Sequence, residues 1–292
     1  MLPPHAGPAS RLTRRKFLSS SAGVLASAAG LLGYTRYVEP QWLEITRRSM
    51  PIAGLPDTLI GKSLVQLSDI HVGPNVADDY VLETFRQVRA LAPDIVVYTG
   101  DFTTRHQGVH EHAELVYSQM PHGVLGTFAT LGNHDYGANW SEPVAADRIT
   151  GVLRNLGVTV LVNAIAEVHG LQIVGLGDLW GRAFRPEMAF ANLAPDAPAI
   201  ALSHNPDTVD LGGWERFSGW ILSGHTHGGQ CKPPFLPPPM LPVRNRRYTS
   251  GAFDLPQRRQ MYISRGVGTV LPVRFNVRPE VAVFELGVGS RE

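Results

Sequence analysis

The chain has 292 residues, of which 43% are hydrophobic and 17% are charged, and this composition excludes a disordered or fibrous protein. A single cysteine, Cys231, excludes an intramolecular disulfide framework and any site built from several cysteines. Eleven histidines are an excess of the residue most used for metal binding and proton transfer near neutral pH. The composition therefore favours a compact protein with histidine-based chemistry.

The formal net charge of +1 hides a separation of charge along the chain. Residues 1–48 carry seven basic and two acidic side chains, so the rest carries 19 basic and 23 acidic ones, a net charge of −4. Within that rest, residues 244–278 carry eight arginines and one acid, Asp254. This distribution argues against a diffusely basic nucleic-acid binder, and no nucleic-acid partner is expected. It predicts a locally basic rim beside an acidic body.

The N-terminus has the order of features of an export signal. Arg14-Arg15 precede an uncharged run from Phe17 to Thr35, and Ala26-Ser27-Ala28 offers small residues for cleavage. The run is weakly hydrophobic compared with the ~20 strongly apolar residues of a stable membrane span. We therefore predict a twin-arginine signal over residues 1–36, through which the twin-arginine translocase would export the protein to the periplasm or cell envelope.

The sequence does not decide whether this signal is cleaved, because the apolar run continues past the small residues and would also serve as an uncleaved membrane anchor. The weaker alternative is an ordinary helix in a cytoplasmic protein.

Strand and helix patterns alternate along the rest of the chain. Residues 37–61 are predicted to form an N-terminal strand and a linker broken by proline and glycine, and residues 62–292 are predicted to form one folded domain. Apolar runs predict strands at 64–67, 95–99, 126–131, 172–176, 199–202, 220–222, 261–264 and 281–286, and helical periodicity predicts helices at 79–91, 111–120 and 143–156. This order favours an α/β fold, a four-layer αββα sandwich of two mixed β-sheets, over a barrel.

Polar residues follow five of the predicted strands, at the point where each strand ends. These are Asp69-Ile-His71, Gly100-Asp101, Gly132-Asn133-His134-Asp135, Ser203-His204 and Gly224-His225-Thr226-His227. Each fragment alone is more often an ordinary turn. In open α/β sheets, however, ligands bind beyond the carboxyl ends of strands, where the five loops can converge. Burying so many carboxylates and imidazoles without a metal would leave them unsatisfied, so the set predicts a metal site.

These motifs, in this order, resemble those of the calcineurin-like metallophosphoesterase superfamily over about residues 62–286. The closer resemblance is to its exported YkuE-like branch. Two segments carry it: Ser223–Gln230 has the long form of the histidine motif, and Tyr262–Gly268 followed by Leu271–Arg274 has the form of the tail.

The resemblance implies a site for two divalent metal ions. The first ion would be held by Asp69, His71 and His227. The second would be held by Asn133, His204 and His225, with Asp101 bridging the two. The mixed nitrogen and oxygen ligands suit Mn, Fe or Zn rather than copper(I), and the sequence does not choose among the three.

The resemblance also implies the reaction, which is hydrolysis of a phosphodiester or pyrophosphate bond by a hydroxide that the two metals generate. His134 would protonate the leaving oxygen, steered by Asp135. Some relatives of this branch act on UDP-2,3-diacylglucosamine, so the expected partner is a phosphate-ester substrate that includes lipid-linked ones. The alternative from another class is a catalytically silent metal-binding scaffold protein of the envelope.

Other conspicuous residues carry weaker predictions. Arg265 and Arg274 lie in the family-like tail and are predicted to face the substrate anion, although surface arginines are common. The proline-rich segment Pro233–Pro242 predicts a stiff surface loop whose apolar residues either contact a lipid or membrane surface or pack onto the domain. His106, together with two further histidines in the same stretch, is predicted to face solvent.

Overall fold

The computed structural model describes residues 14–104, 107–194 and 197–289. The first 13 residues of the predicted export signal lie outside the described residues, as does His106. The described residues form five α-helices and twelve β-strands. The helices are α1 (Arg14–Gly33), α2 (Asp78–Ala90), α3 (Val109–Tyr117), α4 (Pro143–Asn155) and α5 (Pro186–Phe190). The strands are β1 (Glu44–Ala53), β2 (Ser63–Leu67), β3 (Ile95–Thr99), β4 (Gly126–Thr130), β5 (Thr159–Val160), β6 (Ala164–Val168), β7 (Leu171–Gly175), β8 (Ala199–Leu202), β9 (Gly219–Ser223), β10 (Gly251–Leu255), β11 (Arg259–Ile263) and β12 (Glu280–Gly289).

The strands build two mixed six-stranded sheets. The first has the order β1-β12-β2-β3-β4-β5 and the second β10-β11-β9-β8-β7-β6. Strands β2 to β5 run parallel to one another, while β12 runs antiparallel to β2. In the second sheet β7, β8, β9 and β11 are parallel, and β6 and β10 are the antiparallel edges. The predicted sandwich of two mixed sheets in an α/β fold is confirmed.

The sheets and helices pack because each element is apolar on the face that it buries. Leu64 and Val97 of the first sheet pack against Ile173 and Leu202 of the second, so the sheets share one core. On the outer face of the first sheet, α2 buries its apolar stripe, including Phe85, together with parts of α3 and α4. The outer face of the second sheet is covered more thinly, by the short α5 and neighbouring loops. The core thus fixes the strands whose ends carry the polar loops.

The segment predicted as an N-terminal strand and linker contributes β1, which is the edge of the first sheet and pairs in parallel with β12. The residues just before β1 contact the chain just before β12. The Thr35 carbonyl accepts the Arg274 N–H at 2.9 Å, and the Glu39 carboxylate accepts the Val277 N–H at 2.6 Å. Among the residues that the structure describes, no helix combines the length and the apolar character needed to cross a membrane.

Candidate metal centre

Six buried side chains from the strand-end loops form two groups of three. The groups are Asp69, His71, His227 and Asp101, His204, His225, and within each group the ligand atoms lie within 4.8 Å of one another. Asp101 joins the groups, because its Oδ2 lies 3.2 Å from His204 Nε2 and 3.5 Å from His71 Nε2. A carboxylate that reaches both groups has the placement that a ligand shared by two cations requires.

Three of these histidines have one ring nitrogen held by the protein, which leaves the other for the centre. His204 Nδ1 lies 2.7 Å from the Thr99 carbonyl, and His225 Nε2 lies 2.7 Å from the Pro242 carbonyl. His71 Nδ1 lies 3.1 Å from Thr104 Oγ1. Such contacts are typical of histidines that bind metals, since they set the tautomer and the ring orientation. The contact from Pro242 gives the proline-rich segment a structural role that its composition did not predict.

The protonation of the centre suits cation binding. Burial lowers the pKa of His71 and of His225 to about 3 and holds the pKa of His227 well below its usual value, so these rings are neutral. The pKa of His204 moves the other way: burial lowers it, but the carboxylates of Asp101, Asp69 and Asp178 together raise it well above its usual value. A divalent cation beside Asp101 would take the place of that proton.

Buried polar atoms without hydrogen-bond partners also mark the centre. Asn133 Oδ1 and His227 Nδ1 are buried and have no hydrogen-bond partner within the described part of the chain. Leaving such atoms unpaired costs ~1–3 kcal/mol each, which a bound cation would offset. Asn133 follows β4 on the loop that also carries His134, as predicted for a ligand of the second ion. The residues present therefore fit two divalent cations.

The backbone of the centre is strained. Asp69, His71, Asp101, His225 and His227 have φ values of +51°, +53°, +55°, +70° and +49°, which side-chain-bearing residues rarely adopt. Such positions cost on the order of 1–3 kcal/mol each and cluster at functional sites. The strain turns these side chains inward from the strand ends, which is where the two groups meet.

Glycines let the loops approach one another at two points. A Cβ on Gly132 would collide with the Asp101 carboxylate, and a Cβ on Gly224 would collide with Ser68 and the Asp69 carboxylate. The glycines beside the ligands are therefore required by close packing of the loops against the carboxylates.

His134 lies at the edge of the centre. Its ring is 4.9 Å from the His71 ring in an edge-to-face arrangement, and its backbone N–H donates to Asp101 Oδ1 at 2.9 Å. The ring is only half-buried, so it can reach a bound substrate. This position is compatible with a proton donor beside the cations.

Asp135 has a different role from the one predicted. Its carboxylate accepts four backbone N–H groups, those of Asp101, Phe102, Thr103 and Gly132, at 2.9–3.2 Å. Among the described residues, this carboxylate makes no hydrogen bond or ion pair with the His134 ring. Asp135 therefore ties the Asp101 loop to the Gly132 loop instead of steering the acid.

Arg274 and Arg265 are both held by protein groups instead of facing a substrate. The Arg274 side chain is completely buried, and its guanidinium donates to four backbone carbonyls, those of Arg265, Gly266, Gly268 and Val277. Arg265 pairs with Glu280 at 3.1 Å and with Glu44 at 2.8 Å. Burial lowers the pKa of Arg274 to about 10, which leaves it charged at neutral pH. The prediction failed because sequence does not show which arginines the fold buries.

We expect Arg274→Met to lower the free energy of unfolding by about 3–5 kcal/mol, because four carbonyls lose their donor in a buried site. Chemical denaturation of Arg274→Met measures the loss, and Arg216→Met, at an exposed arginine, is the matched control. A raised KM with unchanged stability would instead indicate a substrate contact.

The basic segment 244–278 does not form one rim. Arg244, Arg246 and Arg247 are exposed and follow the proline-rich segment, and Arg246 donates to the Pro238 carbonyl at 2.7 Å. Arg259, however, begins β11 opposite Gly219, at the far end of the sheet from the His225 loop. The predicted rim therefore reduces to these three exposed arginines, which follow Pro242, the residue whose carbonyl contacts His225.

A sixth strand-end loop, which sequence reasoning missed, completes the site. After β7 the chain runs through Asp178 and Trp180, and the Trp180 ring stands edge-on to the His225 ring with centroids 4.4 Å apart. Burial raises the pKa of Asp178 to about 6. The signal was present, since a glycine and an aspartate follow a predicted strand here as they do at Gly100-Asp101.

Comparison with known proteins agrees with this geometry. Residues 62–229 match the calcineurin-like phosphoesterase family. The chain belongs to this family. It is 32% identical to phosphodiesterase YaeI of Escherichia coli strain K12, over 94% of this chain and 99% of that protein. It is also 32% identical to the uncharacterised metallophosphoesterase YkuE of Bacillus subtilis strain 168, over 94% and 98%. Identity to the UDP-2,3-diacylglucosamine pyrophosphatase LpxG of Chlamydia trachomatis serovar D is 28%, over 90% and 97%.

As a calcineurin-like phosphoesterase, the protein is a phosphohydrolase of a family that depends on two metal ions. The predicted family and enzyme class are confirmed, and two candidate ligand groups are present for the cations.

Proposed function

We propose that the protein hydrolyses a phosphodiester or pyrophosphate bond at the centre formed by the two ligand groups. The observation that carries the proposal is Asp101, a buried carboxylate within 3.5 Å of an imidazole from each group. Two divalent cations held there would neutralise the charge on the phosphoryl oxygens and lower the pKa of a bound water. The proposed metals are Mn, Fe or Zn. The ligands would be Asp69, His71 and His227 on one side and Asn133, His204 and His225 on the other.

In this proposal, His134 gives a proton to the leaving oxygen. Its ring is half-buried, whereas the four histidines of the two ligand groups are buried and would bind the cations. General-acid catalysis asks for a titratable group that reaches both substrate and solvent. Asp135 supports it indirectly, by holding the Asp101 loop.

Hydrolysis of bis-p-nitrophenyl phosphate, with added Mn²⁺ and with a chelator, tests the proposal. We expect turnover that the chelator abolishes and that Mn²⁺ restores. A fully metal-loaded protein that is inactive on phosphodiesters and on nucleotide pyrophosphates would instead be a scaffold.

We further propose a lipid-linked substrate, such as UDP-2,3-diacylglucosamine. The name of the relative LpxG supports this substrate, and so does the surface beside the centre. Exposed apolar side chains lie on and next to the proline-rich segment: Phe235, Leu236, Met240 and Leu271. The three exposed arginines, Arg244, Arg246 and Arg247, flank them. Apolar residues ringed by cations suit an anionic membrane surface.

Export of the protein by the twin-arginine translocase to the periplasm or envelope is part of the same proposal. The twin arginines and the small-residue run of the sequence support it. The chain just after α1 supports a role of α1 as a membrane anchor, because Thr35 there accepts the Arg274 backbone N–H. The next residue, Phe275, accepts the N–H of Lys232, which directly precedes the proline-rich segment. Through these contacts, the chain just after α1 lies close to the proposed membrane surface.

We expect charge reversal of Arg246 and Arg247 to weaken binding to anionic phospholipid vesicles at least tenfold, since each basic residue near such a surface contributes about 1 kcal/mol. Vesicle co-sedimentation at low and high salt measures this. The control is Arg154→Glu with Arg216→Glu, the same charge change at exposed arginines elsewhere. The proposed membrane-binding surface would be refuted if the wild-type protein did not bind the vesicles at low salt. It would also be refuted if the two double variants weakened vesicle binding equally.

A further inference from the structure

Two tryptophans line the site between the proposed acid and the second ligand group. The ring centroids of His134 and Trp140 lie 6.4 Å apart, and those of Trp140 and Trp180 lie 4.5 Å apart with planes tilted by 32°. Trp180 then stands edge-on to His225 at 4.4 Å. The two indoles therefore stack on each other, and their exposed parts form an aromatic surface along the side of the reaction centre.

The indole N–H groups of this pair differ from those of the core tryptophans. Trp214 donates its Nε1–H to the Thr208 carbonyl at 2.7 Å, and Trp220 donates to the Pro51 carbonyl at 2.8 Å. Neither Trp140 nor Trp180 donates its indole N–H to another described residue, and both rings are half-buried. Packed tryptophans normally pair this donor. The pair thus keeps two donors as well as apolar ring surface for a ligand.

The backbone prearranges the pair. Asp178 Oδ2 accepts the Gly181 N–H at 2.6 Å, and its carbonyl accepts the Ala183 N–H at 2.9 Å, so the Trp180 loop is closed on itself. Gly181 packs against the Tyr136 ring, where a Cβ would approach to 2.6 Å. The backbone N–H of Trp140 donates to the Gly137 carbonyl at 3.2 Å, which holds this residue in place. A rigid aromatic surface loses little entropy when a planar group stacks on it.

The space beside His134 does not suit an acyl chain. A cleft of about 450 Å³ opens there, with a lining that includes His134 itself. Most of its other side chains are polar or charged, among them Gln107, His110, Glu111, Glu142 and Arg148. The aromatic surface is thus bordered by polar groups, which favours a flat, polar-edged ring over a long aliphatic group.

We propose that Trp140 and Trp180 bind the nucleobase of a nucleotide substrate, with the base continuing the stack of the two indoles and the in-plane indole N–H groups left for polar atoms of the nucleotide beside it. This inference rests on the proposed function and specifies its substrate class: one substituent of the reacting phosphorus is a nucleoside. Base–aromatic stacking tolerates different bases, so the surface selects for a nucleoside rather than for one base.

Two esters with the same leaving group test the proposal: the p-nitrophenyl ester of thymidine 5′-monophosphate and methyl p-nitrophenyl phosphate. We expect Trp180→Leu and Trp140→Leu to lower kcat/KM for the nucleoside ester about tenfold or more, the range that stacking on one aromatic ring supplies. The methyl ester has no base, so the ratio of kcat/KM for the nucleoside ester to kcat/KM for the methyl ester should fall about tenfold, whatever loss the two esters share through the contact of Trp180 with His225. Trp42→Leu, at an exposed tryptophan beside Arg278, is the control.

Equal losses on both esters would overturn the proposal, because the indoles would then only support the centre. A third ester, n-octyl p-nitrophenyl phosphate, tests the acyl alternative, and a loss of kcat/KM confined to that ester would also overturn the proposal.

Binding of UMP, measured by quenching of tryptophan fluorescence, gives a readout without turnover. The Trp140→Leu/Trp180→Leu double variant should lose this binding. If the wild-type protein hydrolyses none of the esters, the proposed function fails, while the fluorescence titration still decides the inference.

Discussion

Asp101→Asn is expected to remove activity and most of the bound metal together. The change keeps the size of the side chain and an oxygen that can accept the His134 N–H, but it removes the charge between the ligand groups. Two divalent cations roughly 3.5–4 Å apart repel each other strongly without an anion between them. We therefore expect at least one metal equivalent to be lost and turnover to fall by more than about 10²-fold, the scale of a lost electrostatic contact at a reaction centre.

Elemental analysis and hydrolysis of bis-p-nitrophenyl phosphate, on the same protein samples, measure the two effects. Asp79→Asn is the matched control, because Asp79 is exposed on α2 and away from both groups. If Asp101→Asn kept both metals and at least half of its turnover, the bridging assignment would be wrong.

His134→Ala should separate catalysis from metal binding. Since we assign His134 to leaving-group protonation, its loss should lower the rate by roughly 10²–10⁴-fold, while the metal content stays that of the wild type. The loss should shrink for substrates with an acidic leaving group such as p-nitrophenol, which departs without a proton.

A series of esters with leaving groups of increasing pKa measures this dependence. His169→Asn is the control, since His169 is exposed at a turn whose φ of +50° asparagine tolerates. Losses that are equal across the series would argue against an acid. Loss of metal would make His134 a ligand or a support of one.

The convergence of the five polar loops was predictable because it depends on local rules. Parallel strands place their carboxyl ends at one edge of a sheet, so Asp69 and Asp101, which follow the paired strands β2 and β3, had to lie close together. The same rule applies to His204 and His225, which follow β8 and β9 of the second sheet. The packing of the two sheets on each other brings these two pairs into one site. The strands themselves were readable as apolar runs between glycines and prolines. Edge strands such as β6 and β10 escaped notice, since their mixed burial gives no continuous apolar run.

The sequence by itself determined the family, the sandwich and the residues that face the candidate centre, because motif order and hydrophobic period are properties of the chain. Only the tertiary structure decided which polar groups find partners inside the protein. It gave Arg274 four carbonyls and Asp135 four N–H groups, which turned a predicted substrate contact and a predicted steering residue into structural ones. It also stacked Trp140 on Trp180, 40 positions apart in the chain. Such pairings depend on distances between segments remote in the chain, and no local pattern encodes them.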